Sequence, residues 1–131
     1  MNRFTVGAAL AITALSLAAC TASGPTPPAP PADGGTFETL GDLKEAVTSA
    51  GLLCPELVLH NDAKYSASSG SCSEDLSLAV YSNDVSLEAQ VDLWKPTDRG
   101  SINVGKNWTV VSPDPKLIQQ KLGGTVLRTG Q

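Results

Sequence analysis

Three cysteines, one histidine and two tryptophans are the side chains of this 131-residue chain with the most chemistry to offer. His60 stands near Glu56 and Asp62, a grouping that reads as a weak metal or acid–base cluster or, preferably, as a solvated polar loop. A single histidine excludes the His-x-x-x-His zinc pair and histidine-rich ligand sets. Neither Ser-x-x-Lys nor Gly-x-Ser-x-Gly occurs, which removes the common serine-nucleophile motifs. No Gly-x-Gly-x-x-Gly or phosphate-cradling loop is present. The residues therefore predict no catalytic, cofactor-binding or metal site, and a protein that is not an enzyme. An exposed tryptophan can anchor a ligand or partner. Trp108, set between Asn107 and the Thr109-Val110 pair, reads as a core strand residue, which leaves Trp94 as the candidate partner-binding residue. Asn107-Trp108-Thr109 also spells a glycosylation acceptor, set aside because Trp108 reads as a core strand residue. Asp84, Glu88 and Asp92, four apart, read as a solvated acidic helix face.

The N-terminus gives the strongest signal. Met1-Asn2-Arg3 carries one positive charge, residues 4–17 are an uncharged apolar stretch rich in Ala and Leu, and Leu17-Ala18-Ala19-Cys20 follows. This is the layout of a secretory signal peptide, and the apolar stretch is short of the roughly 20 residues a transmembrane helix needs. Leu17-Ala18-Ala19-Cys20 resembles the lipobox of bacterial lipoproteins. That resemblance implies cleavage of residues 1–19, a diacylglyceryl thioether on Cys20, and export to the outer face of the cell membrane. The plainer alternative is an ordinary signal peptide with an incidental cysteine. Two or more acyl chains anchor stably where one does not.

With Cys20 assigned to lipid, Cys54 and Cys72 remain, and an exported pair is expected to form a disulfide. Two reduced buried thiols are the alternative. Cleavage would also remove Arg3, leaving eight basic and thirteen acidic side chains, a net charge of −5. No basic patch exists, which argues against nucleic acid and against electrostatic attraction to anionic lipid. Membrane association is assigned to the lipid alone.

Residues 20–35 read as the lipidated cysteine and a flexible linker. Five prolines fall within 21–35, with no large apolar side chain to bury. At about 3.1 Å per residue this spacer would reach roughly 45 Å. Residues 36–131 form the expected single domain. Leu40, Leu43, Ala46, Val47 and Ala50 share one helical arc, with Thr39 to cap it and Gly51 to end it. A last helix is expected to begin at Ser112-Pro113-Asp114, with Ser112 as cap and Pro113 at its first position, and to end at Gly123-Gly124. Strands are expected at 64–68, 76–82, 108–111 and 125–127. Segment 85–94 conflicts with itself. Val85, Leu87, Ala89, Val91 and Leu93 alternate as in a strand, yet Asn83-Asp84 can cap, Leu-Glu-Ala-Gln favours helix, and Pro96 stops it. Helix is preferred. The expected fold is α+β: a small, mostly antiparallel sheet with helices packed on it, in the order α-β-β-α-β-α-β, after an unstructured proline-rich linker.

Several short motifs resemble a family of small, uncharacterised exported lipoproteins from high-GC Gram-positive bacteria. They are Ala50-Gly51-Leu52 before Cys54, Ser71-Cys72, Val80-Tyr81, Val104-Gly105-Lys106-Asn107-Trp108-Thr109-Val110 and Leu122-Gly123-Gly124. The resemblance implies a layout and an envelope location, and no activity. The expected function is a membrane-anchored, non-catalytic binding or interaction module engaging an unknown envelope protein. Its alternative is an accessory or sensor domain with a small ligand between helices and sheet, and an enzyme ranks third.

Overall fold

The computed structural model describes residues 29–97 and 99–128. The signal segment 1–19, Cys20 and the linker up to residue 28 lie outside the described residues.

Three helices form where capping chemistry and apolar spacing coincide. Helix α1 spans Leu40–Ala50, with the Thr39 hydroxyl accepting from the Asp42 N–H and Gly51 left-handed at φ 115°. Helix α2 spans Asp84–Trp94, with the Asn83 side chain accepting from the Ser86 N–H. The helix reading of 85–94 therefore holds, because winding buries Leu87 and Val91 on one stripe and leaves Val85 and Leu93 in solvent. Helix α3 spans Pro115–Leu122, two residues later than the Ser112-Pro113 start expected. Asp114 is its cap, accepting from the Leu117 N–H at 3.1 Å. The reason is steric: a residue preceding proline is driven out of the helical region, so Asp114, held before Pro115, cannot lie inside the helix. Ser112 instead accepts from the Asp114 N–H.

Six strands make one antiparallel sheet: β1 (Val58–Leu59), β2 (Ser68–Ser71), β3 (Ser77–Val80), β4 (Ser101–Val104), β5 (Trp108–Val111) and β6 (Thr125–Arg128), in spatial order β1-β2-β3-β5-β4-β6. The α+β class and the predicted alternation of helices and strands stand, with two short strands, β1 and β4, added. The strand expected at 64–68 begins at Ser68 and runs on to Ser71. Its Ser-Ser-Gly-Ser sequence has no apolar alternation, and it is a strand because it has a partner on each side.

The sheet is the middle of three layers. Leu78, Val80, Trp108 and Val110 face α1 and α3 and close the main core with Leu43, Val47, Ile118 and Leu122. On the opposite face α2 packs Leu87 and Val91 against Tyr81, Ala79, Val104 and Leu127. Asn103, fully buried on β4, donates to the Pro115 carbonyl and ties the start of α3 to the sheet.

The disulfide forms between Cys54 and Cys72, with Cα atoms 4.8 Å apart, inside the range such bonds require. Cys72 follows the last residue of β2, in the turn where its N–H donates to the Leu76 carbonyl. The bond clips the chain beyond α1 to the β2–β3 hairpin. Closing a loop of 18 residues, it contributes roughly 3 kcal/mol in the chain-entropy account.

The domain also begins earlier than residue 36. The Ala32 carbonyl accepts from Gly124 N–H, the Gly35 carbonyl from Lys106 N–H, and the Gly34 carbonyl from the buried Trp108 indole at 3.1 Å. Asn107 then grips Phe37 twice, accepting from its N–H and donating to its carbonyl. Residues 31–37 are thus a strap laid across the α1/α3 side. Gly105 has no Cβ because one would fall on the Trp108 ring, which the strap in turn covers. The Val104-to-Val110 motif is a receptacle for this strap.

Candidate functional site

The α2 side of the sheet is where small residues meet. Strand registers place Ser69, Ala79 and Thr109 side by side, and Ser71, Ser77 and Val111 in the next row. Ala79 packs against the Leu87 and Val91 stripe of α2 near Tyr81, while the other short side chains leave the sheet hollow beyond it. A cavity of about 450 Å³ results, inside the range typical of small-molecule sites.

Its floor is hydroxyl-rich, with Ser69, Ser77 and Thr109. Its walls carry Gln90 and Trp94 from α2, Arg99 from the loop beyond, and His60 and Glu74 from the β1–β2 side. The Arg99 guanidinium lies over the Trp94 ring, 5.8 Å from its centroid, close enough for a cation–π attraction. The Trp94 indole nitrogen is buried and has no hydrogen-bond partner among the described residues.

Tyr81 closes one end, its hydroxyl 2.9 Å from the Thr109 hydroxyl. Burial pushes the phenol above its ordinary value of 10.0, and the Thr109 hydrogen bond pulls it partly back. A phenol that resists ionisation in the fold but not in the unfolded chain gives stability that is complete below about pH 10 and lost as the pH rises through the raised folded value. Tyr81→Phe should flatten the alkaline limb of a stability-versus-pH curve. An unchanged limb in chemical denaturation above pH 10 would mean that Tyr81 does not govern it.

His60 does not join Asp62 and Glu56. Its Nε2 lies 2.7 Å from the Ser71 hydroxyl, its Nδ1 is 3.4 Å from Ser69, and Ser71 continues to Ser77 at 3.2 Å. This is a histidine–serine contact. A hydrolase triad would place a carboxylate behind the imidazole, where this chain places a second serine. Among the described residues no group of three or more His, Cys, Asp and Glu side chains could hold a metal. The row can offer a ligand paired donors and acceptors.

Trp94, the candidate partner-binding residue of the sequence, is half-buried and forms part of the cavity wall instead of standing on a flat patch. Trp108 is elsewhere, fully buried beneath the strap. Sequence reasoning missed Gln90, Arg99, Tyr81, Thr109 and the serines. Only the alternation of small Ser77 and Ala79 with large Leu78 and Val80 hinted that one sheet face is hollow. A larger hollow of about 690 Å³ lies between the strap and the ends of α1 and α3, among Pro30, Pro31, Phe37, Ala46, Ala50 and Leu122. It presents little polar surface for recognition. No family model, curated protein or solved structure matches this chain.

Proposed function

We propose that this chain is an exported lipoprotein, anchored through Cys20 to the outer face of the cell membrane, whose domain is a non-catalytic module that binds a small ligand between α2 and the sheet. The observation that carries this reading is the cavity with converging polar groups. It favours the small-ligand alternative over a flat protein-docking surface. A thermal-shift screen of small polar metabolites is the test. Ligands of the cavity should raise the melting temperature of the wild-type domain and not that of Ala79→Leu, which fills the floor. A screen with no stabilising compound, or with equal shifts in both proteins, would sink the reading.

The strap agrees with an anchored orientation. It docks on the α1/α3 side, so the tether would leave from one side of the sheet while the cavity lies on the other. Cys20→Ser is expected to release the protein from membranes, because the thioether acceptor is lost and the acidic domain has no other affinity for them. Fractionation with intact-mass analysis checks this: an unlipidated variant still pelleting with membranes would end the anchor proposal.

A second reading has its own observation. Val58 and Leu59 are largely exposed on β1, an edge strand, and exposed edges accept added strands. A protein partner there should be lost on Leu59→Lys in crosslinking from intact envelope, with the cavity unaffected.

A further inference from the structure

Resting on the small-ligand reading of the α2 cavity, we infer that the ligand is a neutral saccharide of one or two rings. Charge is the first argument. The lining holds one guanidinium, Arg99, and one carboxylate, Glu74, so the site has no excess charge to neutralise an ionic ligand, and stripping water from an unpaired ion is costly.

Hydrogen-bond character is the second. The floor is made of hydroxyls, Ser69, Ser77 and Thr109, with the Tyr81 hydroxyl bound to Thr109. Each hydroxyl both donates and accepts, as does the Gln90 amide. Such a lining matches a ligand whose own groups also do both, which describes an alcohol better than an amine or a carboxylate. The third argument is shape. Trp94 and Tyr81 contribute aromatic surface to the cavity, with the Arg99 guanidinium over part of the Trp94 ring. A pyranose presents an apolar ring face bordered by hydroxyls, so it can use both at once. The cavity holds the volume of roughly fifteen waters at about 30 Å³ each, enough for one or two such rings.

The test exploits the fact that the chain has only two tryptophans, one in the cavity wall and one in the core. The full chain, purified in a detergent without a sugar head group, is titrated with D-glucose, D-galactose, maltose and cellobiose while its fluorescence is followed. Phosphate, glutamate, lysine and octanoate are the comparison probes. A saturable change with at least one saccharide is expected. By calorimetry, Trp94→Ala should weaken that binding about tenfold or more, as loss of an aromatic anchor does, and Gln90→Ala should weaken it several-fold. Emission from Trp108 in Trp94→Ala confirms that the core is intact. If the saccharides fail and an ionic or fatty probe saturates, the saccharide assignment falls while the cavity reading survives. If no probe of any class binds, both fall. Saccharide binding unchanged in both variants would place it elsewhere and overturn the inference.

Discussion

Replacing Trp108 with alanine is expected to abolish cooperative unfolding of the domain, or to prevent the protein from accumulating at all. The indole is fully buried at the centre of the main core, on β5, among Leu43, Val47, Leu78, Val80 and Ile118. Phe37 meets it edge-on at 6.0 Å between ring centroids, and its N–H is satisfied by Gly34. Truncating a buried tryptophan typically costs about 3–5 kcal/mol, out of the roughly 5–15 kcal/mol that holds a domain together. Removing this ring also leaves the strap without its main apolar contact. Circular dichroism melts decide the matter. A Trp108→Ala protein that melts like wild type would contradict the core assignment. Trp94→Ala, by contrast, should melt much as wild type does, since that ring is half-exposed and packs in neither core cluster.

That contrast between the two tryptophans also marks what was legible from residue types. Trp108 lies in a short run of β-forming residues, and such a pattern is decided locally, by alternation across a strand. The same is true of α1, where Thr39, the apolar arc and Gly51 agree, and of α2, where Asn83 and Pro96 bracket the helix. Caps and periodicity act over a few residues, so they can be read along the chain. Other features depend on pairing between distant segments. Ser68–Ser71 becomes a strand only because Val58–Leu59 and Ser77–Val80 flank it. The cavity exists because Ser69, Ala79 and Thr109, well separated in sequence, fall in one row. No single one of these residues has an unusual type or neighbourhood. Arg99 enters the site only through the position of its loop over Trp94.

The strap is the clearest example, and its removal is the second large effect expected. By composition, residues 21–35 are a disordered spacer: five prolines, four of the chain's small glycine and serine residues, and no large apolar side chain. Their role in the fold comes from backbone carbonyls, which every residue possesses, so composition carries no trace of it. Gly34 and Ala32 accept from Trp108 and Gly124, and Gly35 accepts from Lys106. Gly105 and Gly123 are bare where the strap passes, since a Cβ on Gly123 would meet the Pro31 carbonyl. A domain beginning at Thr36 therefore loses three acceptors at once and uncovers the Trp108 ring. Each lost hydrogen bond costs about 1 kcal/mol and exposing the ring adds to that, so the deletion should cost about 3 kcal/mol or more relative to a chain beginning at Ala29. For a domain of this size, 1 kcal/mol moves the melting temperature by roughly 4–8 °C, so the gap between the two forms should be large. Melting both side by side, without the lipid, isolates the strap from the membrane. Equal melting temperatures would show that residues 29–35 only pass over the domain, and the spacer would regain the full reach its composition suggests.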